Sequence, residues 1–133
     1  MTITRKQPLP RPTEAELEIL QVLWQHSTCT VREVHDVLHR RTGTGYTTAL
    51  KLLQVMHEKG LVQRDESQRA HVYRAAVSKE RTQKRFLADI VKRVFEGSPS
   101  RLVLQALGDH RASRGELREI RALLNQLDQD AER

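Results

Sequence analysis

The sequence predicts a mainly α fold with a small β-hairpin, and three features carry that expectation. Apolar residues recur at helical spacing through the first 60 positions, broken by capping threonines and a glycine pair. A strand-like pair, residues 61–64 and 70–74, then brackets the polar run 65–69. From Ser78 onward the strand signal vanishes and only helical apolar ladders remain.

Taken in order, Thr13 with Glu16 and Thr30 with Glu33 have the spacing of capping boxes, in which threonine accepts from an early helical N–H and glutamate reaches back. They open the first two helices. In the first, Leu17, Leu20, Val22, Leu23 and Trp24 form a broad apolar stripe running to about Gln25, with Trp24 as core anchor. The second carries Val31, Val34, Val37 and Leu38, and ends around Arg40 before Gly43 and Gly45 permit a turn. In the third, Tyr46 to Lys59, about 100° per residue puts Ala49, Leu52, Leu53 and Met56 on one side. Thr47, Lys51, Gln54 and Glu58 fall opposite. Gly60 suits the left-handed closure of that helix, and Lys59 suits the negative end of its dipole. The hairpin that follows has Arg64, Arg69 and Arg74 on its arms and loop.

Helix, helix, turn, helix, hairpin is the order of a winged helix-turn-helix. The expected organisation is a basic arm over 1–12, a winged helix-turn-helix DNA-binding domain over 13–77 and a C-terminal helical dimerisation domain over 78–133. In the last, Phe86, Ile90 and Val94 form one ladder and Leu87, Val91 and Phe95 its neighbour. Ser98, Pro99 and Ser100 start a short helix with Leu102, Val103, Leu104 and Leu107. Ser113 with Glu116 caps a final helix whose Leu117, Ile120, Leu124 and Leu127 are spaced like a coiled-coil seam. Three such helices are too few to enclose a core, so a second copy is expected to close them, giving a homodimer. The alternative is that they fold back on the winged part.

A formal charge of +6 favours an anionic partner, although charged residues are 30% of the chain and most of them are solvated surface. Arg5, Lys6 and Arg11 precede the first acid, Glu14, so the arm either follows phosphate or a minor groove, or is a plain terminus. Cys29 is the sole cysteine, which excludes an intrachain disulfide and fits a reducing, cytoplasmic setting. It reads as a small residue in the bend between two helices, with a thiol switch as the second reading. No apolar run has the length of a signal peptide or a bilayer span, so no membrane insertion is expected. His35 and His39, spaced i, i+4, would allow two metal ligands on one face, yet nothing in the sequence supplies the rest. No nucleophile stands beside a base and no glycine-rich phosphate loop occurs. The expectation is therefore no enzyme, no catalytic residue, no metal and no cofactor.

Chemistry concentrates on the third helix and the hairpin. Thr47 and Thr48 stand near the positive end of the helix dipole, where phosphate is favoured, and a threonine methyl also suits thymine. Lys51, one turn on, reaches a guanine edge or a phosphate, and Gln54 reaches adenine. Tyr46 either hydrogen-bonds a phosphate or packs at the helix start with its hydroxyl exposed. Arg64 and Arg69 would touch phosphate from the wing. The expected partner is double-stranded operator DNA.

With those residues in view, the chain resembles the penicillinase repressor family, the BlaI/MecI/CopY group of bacterial transcriptional regulators, from about Thr13 to Leu127. The resemblance is carried by Tyr46, Thr47 and Thr48, then Leu52 and Leu53, then Glu58, Lys59, Gly60 and Leu61, and by Arg69 and Tyr73. It implies a dimeric repressor of palindromic operators, with Thr47, Thr48 and Lys51 as recognition contacts and Arg69 as a wing contact. The chain differs from the family in having Thr44 where an aromatic residue is common and Ser67-Gln68 where the wing often has Asp-Gly. It has no cysteine after Cys29, which excludes the cysteine-rich form of copper sensing. An upstream sensor or protease is a further partner that the resemblance raises without identifying. Here Gln105 and Ala106 stand where the β-lactam-responsive relatives have the Asn-Phe bond that is cleaved. Two other functions stay open: a winged regulator that responds to a small molecule held between its domains, and a winged adaptor that binds protein.

Overall fold

The computed structural model describes residues 11–133, so the arm residues Arg5 and Lys6 lie outside it. The element order is α1 (Glu14–His26), β1 (Cys29–Thr30), α2 (Val31–Thr42), α3 (Tyr46–Lys59), β2 (Val62–Asp65), β3 (Val72–Ala75), α4 (Lys79–Arg93), α5 (Pro99–Asp109) and α6 (Arg114–Ala131). Two compact units meet in sequence between Phe86 and Leu87, inside α4.

Both expected capping boxes open their helices in the first unit. The Thr13 N–H donates to Glu16 Oε1 at 2.9 Å while the Glu16 N–H donates to Thr13 Oγ1 at 3.2 Å. Thr30 and Glu33 repeat the exchange at 2.8 and 3.2 Å. Helix α3 has the expected bounds, closed by Gly60 at φ 85°, a conformation that a residue with a Cβ adopts only at a cost. Helix α2 runs to Thr42 rather than stopping near Arg40, because the Thr42 hydroxyl donates to the Leu38 carbonyl at 2.9 Å and the left-handed turn comes only at Gly43.

The core beneath these helices contains Ile19, Leu20, Leu23, Val34, Leu38, Ala49, Leu53, Met56, Leu61 and Tyr73. Its composition differs from the sequence expectation in α1 and α3. Ile19 is fully enclosed, whereas Leu17 and Leu52 are only half-buried. Trp24 is half-buried rather than a central anchor, since its indole N–H must find a partner and donates to the Val77 carbonyl at 3.0 Å.

The sheet also holds a strand that the sequence reading missed. Cys29, expected in a bend, and Thr30, which also caps α2 as expected, form β1 and pair antiparallel with Tyr73 and Val72, giving the order β1-β3-β2. The hairpin register pairs Val62 with Ala75 and Asp65 with Val72, so both arms begin later than expected. Leu61 is taken instead by the end of α3, its N–H donating to the Met56 carbonyl at 2.9 Å.

Glu16 is more than a cap. Its side chain is 2% exposed, and its second oxygen accepts from Lys59 Nζ at 2.8 Å, tying the start of α1 to the end of α3. Burial alone pushes the Glu16 carboxyl up, but the hydrogen bond and charge of Lys59, with the bonds from Thr13, outweigh it and hold the group below its ordinary value.

The second unit is built differently. Ser98 caps α5 with Pro99 in its first turn, and Ser113 with Glu116 forms a capping box on α6, yet neither helix has a buried residue. Of the expected pairing residues, Ile90, Val94, Leu124 and Leu127 are exposed, at 41, 66, 52 and 53%. Leu117 and Ile120 are half-buried. Phe86 belongs to the first unit, where the Arg11 guanidinium lies 5.8 Å from its ring centre.

Removing the ammonium strands an enclosed carboxylate, so Lys59→Met should lower stability at neutral pH by about 2 to 3 kcal/mol. Because the folded-state value of Glu16 is depressed, the stabilisation is complete above the ordinary carboxylate range and lost as pH falls through the depressed value. Urea unfolding of both proteins across that range should show the gap closing on the acid side, and a gap constant with pH would contradict this account.

Candidate nucleic-acid interface

One side of α3, at Ala49, Leu53 and Met56, is completely enclosed, so the opposite side is forced outward. That side shows Thr47, Thr48, Lys51 and Gln54, all exposed and making no side-chain hydrogen bond or ion pair among the described residues. Tyr46 is 40% exposed at the rim of the same face. Glu58 is also exposed, near the far end. The N-cap is Gly45, which has no side chain to occupy the first-turn N–H groups. Hydroxyls, an ammonium and an amide thus project together from a rigid element, the chemistry that suits phosphates and base edges.

The hairpin divides its three arginines. Arg69 is exposed in the loop and makes no side-chain hydrogen bond or ion pair among the described residues. Arg64 is held inward, its Nη2 and Nε at 3.0 and 3.1 Å from Glu66 Oε2. The Tyr73 hydroxyl and then Glu66 keep its guanidinium firmly charged. Arg74 Nε donates to Gln63 Oε1 at 2.6 Å across the strands. At the turn, Asp65 accepts from the Ser67 N–H at 2.9 Å, and these Ser67 bonds hold its carboxyl below the usual value. An aspartate turn of this kind serves where an Asp-Gly pair is absent.

Sequence reasoning assigned the histidines of α2 no part in this surface, whereas the structure gathers them at the start of α3. The His35 ring meets the Tyr46 ring edge-on, 5.7 Å between centres and 78° between planes, and lies 5.3 Å from His39. Arg32 sits 5.7 Å from the Tyr46 ring centre. Positions 32, 35 and 39 share one stripe of a helix, so the spacing, together with the short turn to Tyr46, was the available signal. Among the described residues no group of three or more histidine, cysteine, aspartate or glutamate side chains is placed to hold a metal ion.

A three-helix head whose last helix bears this polar face beside a three-stranded sheet is a winged helix-turn-helix protein. The chain belongs to the penicillinase repressor family, whose model matches residues 12–126. The penicillinase repressor of Bacillus licheniformis is 24% identical over 118 residues, 89% of this chain and 92% of that protein. The transcriptional regulator BlaI of Mycobacterium tuberculosis is 36% identical over 66 residues, 49% of this chain and 48% of its own length. The solution structure of the DNA-binding domain of the repressor BlaI has a TM-score of 0.50 and 26% identity, covering 55% of this chain and 89% of that domain.

Cys29, 3% exposed within the sheet, lies on none of these surfaces. Burial pushes its thiol above the ordinary value and the nearby Glu33 charge adds to this, the reverse of what a reactive thiolate needs. An aromatic disulfide reagent should modify it only after denaturant is added, and rapid labelling of the native chain would overturn that assignment.

Proposed function

We propose that this DNA-binding transcriptional repressor acts as a homodimer that seats the α3 helix of each subunit in successive major grooves of an inverted-repeat operator. The observation that carries the proposal is the α3 face itself: Thr47, Thr48, Lys51 and Gln54 exposed together, backed by a fully enclosed apolar side. In this reading Thr47 and Thr48 hold the backbone or a thymine methyl, while Lys51 and Gln54 read base edges and Tyr46 bonds a phosphate. Arg69 is the outer wing contact. Arg64 joins it only by exchanging Glu66 for phosphate. In this reading residues 13–77 are the reader and pairing falls within 78–133, on the unit from Leu87 onward.

Pairing is supported by the second unit's exposed Ile90, Val94, Leu104, Leu124 and Leu127, more apolar surface than a lone three-helix segment covers by itself. A two-fold partner then implies half-sites about one or more helical turns apart. Among the described residues no helix is long and apolar enough to cross a membrane, and the proposed place of action is the cytoplasm, where the DNA is. The bound duplex can be defined by letting the wild-type chain select it from a random-sequence pool.

On that duplex, Lys51→Ala should cost about 1 to 3 kcal/mol of specific binding if Lys51 reads a base. Arg69→Ala should weaken all sequences alike and flatten the salt dependence. Full affinity in both variants would remove the proposed face. Leu124→Glu should convert the dimer to monomer in sedimentation and restrict the footprint to one half-site, whereas an unchanged mass would contradict the pairing surface.

A further inference from the structure

Beyond the α3 face, the first turn of the reader has a supporting cluster contributed by the preceding helix. Arg32, His35 and His39 run along one edge of α2, and each meets the beginning of α3 or the turn before it. His39 Nδ1 is 3.3 Å from the Thr44 carbonyl, and the Thr42 and Thr44 hydroxyls are 2.7 Å apart, so the turn itself is fixed. Next along the chain, the Tyr46 ring has the Arg32 guanidinium and the His35 ring each 5.7 Å from its centre, the two rings nearly perpendicular. An aromatic ring in an aliphatic pocket is held by shape alone. A ring held by a cation and a perpendicular imidazole is held by directional contacts, which fix where its hydroxyl points.

Among the described residues no carboxylate lies within ion-pair distance of Arg32, unlike Arg64, Arg93 and Arg101, which each meet one. Its charge is thus unneutralised at the rim of the α3 face. In a helix-turn-helix the helix before the reader crosses the DNA backbone while the reader's first residues enter the groove. Arg32 is on the crossing helix and Tyr46 is the first residue of the reading one.

We infer that Arg32 and Tyr46 form a two-part clamp on one DNA phosphate at the entrance of the reading helix, with His35 as the positioning residue for the tyrosine ring. Arg32 supplies charge and Tyr46 supplies an O–H donor. The ring also holds the guanidinium near the phosphate, so the arginine loses less freedom on binding. His35, which contacts Asp36 Oδ1 through Nδ1 at 3.4 Å, acts only through Tyr46. The clamp rests on the reading of α3 as the groove-entering helix.

The test is a salt titration of the full chain on its selected duplex, with melting temperature followed in parallel. Arg32→Gln should weaken binding about tenfold and reduce the salt slope by about 0.9, the release expected for one phosphate. Arg32→Lys should keep the slope while losing part of the affinity, because it retains charge but not the planar guanidinium fork. Tyr46→Phe should cost about fivefold with the slope unchanged. His35→Ala should match Tyr46→Phe, and the double variant should be no worse than either single one, because both losses pass through the same hydroxyl. An unchanged salt slope in Arg32→Gln, or losses from His35→Ala and Tyr46→Phe that multiply, would overturn the clamp. Lys51→Ala separates the two levels: if it weakens binding while Arg32→Gln does not, only the clamp fails, and if neither does, the reading of α3 fails with it.

Discussion

The ion pair between Glu16 and Lys59 is the constraint on which the reading head depends. Helices α1 and α3 are brought together by Leu20, Leu23, Leu53 and Met56, but apolar packing fixes separation better than it fixes register. A carboxylate with almost no access to water accepts only directional partners, and this one takes the Thr13 N–H on one oxygen and the Lys59 ammonium on the other. The first turn of α1 and the last turn of α3 are thereby keyed to each other. The direction of the exposed polar side of α3 and the start of β2 then follow, since Gly60 turns the chain directly after the keyed lysine.

That keying also shows where the sequence was legible. The bounds of α3 could be read because both ends are glycine positions and the helical period between them is clean. Thr13 and Glu16 could be read as a capping box because the two residues are three apart. The second oxygen of Glu16 could not, because its partner is 43 positions away and nothing local marks the pair. For the same reason β1 has no sequence signal: two residues cannot show alternation, and its pairing partners, Tyr73 and Val72, are known only once the chain has folded. The polar face of α3 followed from periodicity. The cluster of Arg32, His35 and Tyr46 needed the angle between two helices, which periodicity does not contain.

The two units illustrate different ways of using apolar residues. In the first, a small set of side chains is enclosed by the chain itself, with Tyr73 and Trp24 placed so that their polar ends have somewhere to go. In the second, helices α5 and α6 are well capped, with Ser98 and Ser113 satisfying their early N–H groups, while Leu104, Leu107, Leu123, Leu124 and Leu127 remain exposed. Local signals therefore specify those helices more strongly than their packing does. Their ladders were as readable as those of α1, but burial depends on what covers a ladder, and no local pattern encodes that.

The pairing of Arg64 with Glu66 has an electrostatic consequence. A wing with all of its cations unpaired would cling to any stretch of duplex, because the entropy of displaced counterions is the same for every sequence. If the wing meets the duplex as proposed, Glu66 would mute part of that indiscriminate attraction, and His71 at 3.9 Å stands beside the same carboxylate. A wing cation that already has a carboxylate partner displaces fewer counterions than a bare one, so the hairpin's charge is weighted toward Arg69.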